Sequence, residues 1–250
     1  MPRLARVVIP GCPHHVTQRG NNRQDVFFVD DDRRVYLQTL AEQSRRFGLA
    51  VDGYCLMTNH IHLIVTPTRA ESLAKAIGRT HWLYSQYVNR MHGRCGHLWQ
   101  ARYYSSALDE GHYWTSMCYV ELNPVRAGLV RVAWRYDWSS AASHCRASTD
   151  GAAKGKATAS PAVGNGHAWD VPLSLDSWRR LVAGRNWQET LCEGLSDKQL
   201  AEVRRFTMTG RPLGGDSFLS KIETALGRRL RAMPVGRPKK NPTTKRGGNR

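Results

Sequence analysis

Residues 147 to 166, ASTDGAAKGKATASPAVGNG, hold no aromatic side chain and a single valine. A stretch with so little to bury cannot serve as a core layer, so it reads as a flexible linker or a long surface insertion. It leaves residues 1–146 to build a core of their own, which is ample for one domain. A helical accessory region over 167–232 and a basic tail over 233–250 follow it. With 41% hydrophobic and 23% charged residues in the 250, the chain has enough apolar material to exclude wholesale disorder.

Charge narrows the partners. Thirty-seven Lys and Arg against 20 Asp and Glu give a net +17 and a pI near 10.2. That excess favours a polyanion, because clustered cations gain affinity by releasing counterions from phosphate backbones. The last 25 residues carry nine basic side chains and no acidic one, so they should be extended and solvated. No apolar run approaches the roughly 18–20 residues of a membrane span, and Pro10 and Pro13 cut short the first apolar stretch, which argues against a secretory signal. Six scattered cysteines without a CxxC pair argue against both a disulfide scaffold and a zinc finger, and fit a reduced, cytoplasmic protein.

Periodicity gives the elements of the first segment. A strand is expected from Arg6 to Thr17, broken by a turn at Gly11–Pro13, with turn residues from Arg19 to Asn22. Asp30–Asp32 open a helix that Gly48 ends; its apolar residues Val35, Leu37, Leu40 and Phe47 roughly follow helical spacing. Val51–Met57 and Ile61–Thr66 read as a hairpin, followed by a helix over 72–91, a strand over 98–108 and a helix over 110–122 stopped by Asn123-Pro124. The order strand, helix, strand, strand, helix, strand is that of an α+β, ferredoxin-like split βαβ antiparallel sheet with helices on one face.

Two short segments carry chemistry. In NHIHLIV, His60 and His62 alternate along a strand and share a face, where two neutral imidazoles can chelate a divalent cation. Two exposed or hydrogen-bonded histidines would give the same spelling. In CYVELNPVRAGLV, Tyr119 and Asn123 lie one helical turn apart. A phenol beside an amide oxygen at a metal could attack a phosphodiester; a core tyrosine over a helix end is the structural alternative. Tyr113, six residues before Tyr119, faces the other way on a helix, which leaves one nucleophile. Of Tyr103 and Tyr104, one could stack on a base, core packing being the other reading.

Taken together, NHIHLIV, LWQARYYS (98–105), YVELNPVRAGLV and the opening RVVIPGCPHHVTQRGNNRQDVFF resemble the REP-associated tyrosine transposases, members of the HUH single-tyrosine, insertion-sequence-200-like group. The resemblance covers roughly residues 1–145. It implies that His60 and His62 are the HUH pair holding Mg²⁺ or Mn²⁺, that Tyr119 is the nucleophile, and that Asn123 is a third ligand. It also implies a single-stranded hairpin DNA substrate, a 5′-phosphotyrosine intermediate, a monomer or homodimer, and a cytoplasmic, nucleoid-associated bacterial setting with no membrane partner.

Cations placed to hold DNA are Arg19, Arg23, Arg102 and Arg126, and in the tail Arg237, Lys239 and Lys240. The tail sequence VGRPKKNP has a Gly-Arg-Pro core like that of an AT-hook, which suggests contact with duplex DNA. The competing reading from another class is a non-catalytic DNA-binding regulator on the same fold. A rolling-circle initiator or relaxase shares the HUH chemistry, but such proteins usually carry a helicase-like segment that this chain lacks.

Overall fold

A computed structural model describes residues 6–150, 172–182 and 185–231. Its centre is a four-stranded antiparallel sheet of β1 (His14–Arg19), β2 (Leu49–Met57), β3 (His60–Pro67) and β4 (Tyr104–Ala107), in the order β2-β3-β1-β4. This is the ferredoxin-like α+β sheet the element order predicts, with β1 at its middle.

Helix α1 (Asp30–Phe47) begins where Asp32 accepts hydrogen bonds from the backbone N–H groups of Phe28 and Val29, and ends at Gly48, whose φ of 66° suits glycine. Helix α2 (Ser72–Met91) packs along it, with the Tyr36 hydroxyl 3.1 Å from His81. The strand residues Val16, Ile61, Leu63 and Val65 are fully buried. Each such side chain contributes about 1.5–3 kcal/mol to folding.

Helix α3 (Glu110–Glu121) packs on β2 and β3 and covers the face that carries His62, opposite the one that bears Ile61 and Leu63. The helical cover expected on one face is therefore supplied by α1 and α2, and α3 adds a second. The reason is local: a Cβ at Gly53 would come within 2.4 Å of Met117 Sδ, so glycine there lets α3 lie against the sheet.

Helix α3 ends at Glu121 with Leu122 as its C-cap, as the Asn123-Pro124 step predicts. Proline at the first turn of a helix sacrifices no hydrogen bond, and a short helix α4 (Asn123–Arg126) begins there. Helix α5 (Ala141–Asp150) runs into the expected linker: Ala147 is buried and helical, and 151–166 lie outside the described residues. The first strand is likewise shorter than expected, because Cys12 N–H closes a turn onto Ile9 and Gly11 N–H bonds Pro67.

The accessory helices α6 (Leu175–Val182), α7 (Trp187–Glu193), α8 (Asp197–Thr209) and α9 (Asp216–Leu226) do not form a separate body. Glu121 of α3 accepts from Ser140 and Trp187 and lies 2.6 Å from the His144 Nδ1, joining α3 to α5 and α7 inside the core. Helix α8 lies on β1, β4 and α3, and the turn after it pairs Leu213 with Ala107 and Asp109. Among the described residues no helix is long and apolar enough to cross a membrane.

Candidate active site

The face of the sheet beneath α3 gathers the polar residues. Strand alternation puts His60 and His62 on it, and the β1–β3 register sets Arg19 opposite His60, Thr17 opposite His62 and His15 opposite Ile64. The ring centroids of His60 and His62 are 5.2 Å apart with the planes nearly perpendicular. His15 stacks on His62 at 5.1 Å, its Nε2 2.9 Å from His62 Nδ1. Tyr119 comes down from α3, its ring 5.7 Å from His62 and 6.0 Å from His15, and is 8% exposed.

All three imidazoles are held neutral at pH 7. Burial pushes His15 down to about 4; burial and the Arg19 charge push His60 down to about 4. Burial lowers His62 further, helped by His15, His60, Arg126 and Arg19. His60 Nδ1 lies 2.6 Å from Asn59 Oδ1, while Asn59 Nδ2 donates to the Arg23 carbonyl. That arrangement makes Asn59 Oδ1 an acceptor, places the proton of His60 on Nδ1 and leaves Nε2 with a lone pair.

A cation closes the site. α4 turns Arg126 back so that its guanidinium carbon lies 4.3 Å from the centre of the Tyr119 ring, and its Nη2 donates to the Tyr119 carbonyl at 2.7 Å. Nη1 of Arg126 is buried with no hydrogen-bond partner. Asn123 donates from Nδ2 to the carbonyls of Tyr119 at 3.2 Å and Val120 at 3.3 Å, capping the end of α3.

A family model described as "Transposase IS200 like" matches residues 9–123. Over this segment, a little under half of its length, the chain is similar to the IS200-like transposases. Among solved structures, a REP-associated tyrosine transposase bound to a REP hairpin is 18% identical, with a TM-score of 0.47, covering 56% of this chain and 82% of the other. A protein from Deinococcus radiodurans R1 described as a transposase is 20% identical, with a TM-score of 0.34, covering 48% and 96%. A search of curated proteins finds no match.

The sheet and α3 thus bring together His60, His62, Tyr119, Arg126 and Arg19, and set Asn123 one turn from Tyr119 as a helix cap. Arg23 is exposed on the turn after β1, tied to Asn59 through its carbonyl. Arg102 is exposed just before β4 and makes no hydrogen bond or ring contact with the cluster among the described residues. Arg237, Lys239 and Lys240 lie outside the described residues. Tyr113 is wholly buried and has no part in the cluster. The two other tyrosines divide: Tyr103 is buried beneath Arg6, whereas Tyr104, paired with Thr17 on the histidine face, is 37% exposed. Trp99 stacks on His81 and donates to its carbonyl at 3.3 Å, a packing role.

Sequence reasoning missed His15. Its signal was present, since His15, Thr17 and Arg19 alternate along β1 as His60 and His62 do along β3. Thr207 of α8, 3.1 Å from His15 Nδ1, had no such signal.

Proposed function

We propose that this domain cuts and rejoins single-stranded hairpin DNA through Tyr119. The phenolic oxygen attacks the scissile phosphorus, a Tyr119–phosphate bond forms as the bond to the 3′ oxygen breaks, and that oxygen takes up a proton to leave as a 3′-hydroxyl. The phenolic proton is lost in the same step. A 3′-hydroxyl attacking the phosphotyrosine reverses the bond changes and reseals a strand, so no nucleotide cofactor is consumed.

The observation that carries this reading is the buried, unpaired Nη1 of Arg126 beside the Tyr119 ring. A cation held out of water without a counterion is costly unless an anion comes to it. A phosphate lying against Tyr119 would satisfy it and be positioned for attack. Arg19, beside His60 in the register, and the exposed Arg23 extend the same cationic track. Arg102 and the tail residues Arg237, Lys239 and Lys240 belong to it by charge alone.

The donor set would hold a hard divalent ion weakly, since such ions prefer oxygen ligands. His60 and His62 are neutral imidazoles on one face, and no group of three or more His, Cys, Asp or Glu side chains among the described residues could hold a metal. Mg²⁺ or Mn²⁺ held by His60 and His62, with Asn123 Oδ1 as a third ligand, would polarise the phosphate and stabilise developing charge. So small a protein ligand set leaves room for phosphate and water.

The test is a denaturing gel of full-length protein with end-labelled hairpin DNA, with and without Mn²⁺ or Mg²⁺. The expected result is a metal-dependent protein–DNA adduct that is absent with Tyr119→Phe while hairpin binding persists. Binding without any adduct, across several hairpins and both metals, would instead make the domain a DNA-binding regulator.

A further inference from the structure

The site contains one chain of hydrogen bonds that begins outside the matched family segment. The Thr207 hydroxyl lies 2.7 Å from the Val203 carbonyl in its own helix and 3.1 Å from His15 Nδ1; His15 Nε2 lies 2.9 Å from His62 Nδ1. A hydroxyl has one proton. Two oxygens 2.7 Å apart with no proton between them repel, so the Thr207 proton sits toward Val203, and the hydroxyl must accept from His15. His15 then carries its proton on Nδ1 and presents a bare Nε2, which accepts from His62 Nδ1–H. His62 in turn has its lone pair on Nε2. Each bond in the chain fixes the direction of the next.

We infer that Thr207 of the accessory helix α8 is a positioning residue that sets the tautomer of His62, through His15, to the form that binds a cation at Nε2. This rests on the reading of His60 and His62 as metal ligands and adds to it a role for a residue outside residues 9–123. The chemistry follows from the neutral imidazole, which offers one donor and one lone pair. With Nδ1 protonated, Nε2 is free for a metal; with Nε2 protonated, that position is blocked. Both rings are neutral near pH 7 because burial opposes their charging, so the tautomer alone decides. His15 and Thr207 are buried, and no water is needed to complete the chain. His60 reaches the same state by a separate bond to Asn59, so the two rings present like atoms by unlike means.

The discriminating pair is Thr207→Val, which keeps the shape and removes the acceptor, and Thr207→Ser, which keeps the hydroxyl. Two-bond ¹H–¹⁵N spectra of full-length, metal-free protein report the protonated nitrogen of each histidine, with His62 assigned by its loss in His62→Gln. Wild type and Thr207→Ser should show His62 protonated at Nδ1. In Thr207→Val, His15 has no acceptor for Nδ1–H, moves its proton to Nε2 and donates to His62, whose proton shifts to Nε2. Mn²⁺ titration of the same samples should show affinity falling about 10–100-fold in Thr207→Val and staying near wild type in Thr207→Ser.

A wild-type spectrum with His62 protonated at Nε2, or the same His62 tautomer in wild type and Thr207→Val, overturns the inference. Should the tautomer shift as expected while His60→Ala and His62→Ala leave Mn²⁺ binding unchanged, the control of His62 by Thr207 stands and the metal assignment fails.

Discussion

Arg126 holds Tyr119 twice, once through the face of its ring at 4.3 Å and once through its carbonyl at 2.7 Å. The same side chain therefore orients Tyr119 and, on the proposed reading of Tyr119 as nucleophile, has its spare Nη1 free for the anion under attack. This double hold distinguishes Arg126 from the surface arginines, which offer charge alone.

Replacing Arg126 by Ala should lower the single-turnover rate of adduct formation by about 10²–10³, the usual effect of losing one oriented donor at developing charge. Hairpin affinity should fall far less, since one phosphate contact among many is lost. Arg126→Lys should recover little, because an ammonium lacks the flat guanidinium face that lies over the ring and the rigid fork that donates in two fixed directions. An unchanged rate with weakened binding would assign Arg126 to affinity instead.

Tyr104→Ala should weaken hairpin binding by about 1–3 kcal/mol, the range for one base stacked on an aromatic ring, without altering the unfolding midpoint. Tyr103→Ala, one residue away, should do the reverse, since Tyr103 is buried under the Arg6 guanidinium. Fluorescence anisotropy with labelled hairpin and urea unfolding, run on both variants, separate the two outcomes.

Asp52 gives a prediction about pH. Burial pushes its carboxyl up to about 7, against the lowering effect of the Thr66 hydroxyl bond and the His144 charge. A folded value above the unfolded one favours folding at low pH, and that contribution is lost as pH rises from about 4 to 7. Asp52→Asn removes the titration. Its stability relative to wild type should therefore rise across that window, at up to roughly 1.4 kcal/mol per pH unit, and level off above it. Urea unfolding of both proteins at pH 5, 6, 7 and 8 checks the slope; a constant difference would exclude Asp52 as the source.

For the tail, changing Arg237, Lys239 and Lys240 together to Ala should reduce the slope of log K against log salt by roughly 2 for single-stranded DNA, if all three meet phosphates. The cleavage rate at saturating DNA should not change. An unaltered salt slope would remove the tail from the DNA contact.

The elements that were legible from sequence are those set by local chemistry. The three aspartates and Gly48 bound α1, the period of 3.6 marks α2, and the alternation of NHIHLIV places both histidines on one face of β3. What escaped was set by distant partners. The Asn-Pro step does stop α3, but the short helix α4 that starts on it and swings Arg126 back had no signal of its own. Val7 and Ile9 looked like strand residues, but they pack with Ile222, Leu230 and Phe218 in a small cluster joining the segment before β1 to α9 and the turn after it. Ala147 looked like linker because its neighbours are small and polar; only its place in α5 buries it. His15 was spelled out in the sequence, but its importance depends on which strand lies beside which.

His15 and Thr207 stand 192 positions apart. At a synthesis rate of about 5–20 residues per second, roughly 10–40 s separate their appearance on the ribosome. The central strand is among the first segments made, yet the hydroxyl bonded to its histidine emerges only after most of the chain has been translated. The nascent chain thus carries Tyr119, His60 and His62 for seconds before that bond can form, and the histidine cluster is completed late in the protein's own synthesis.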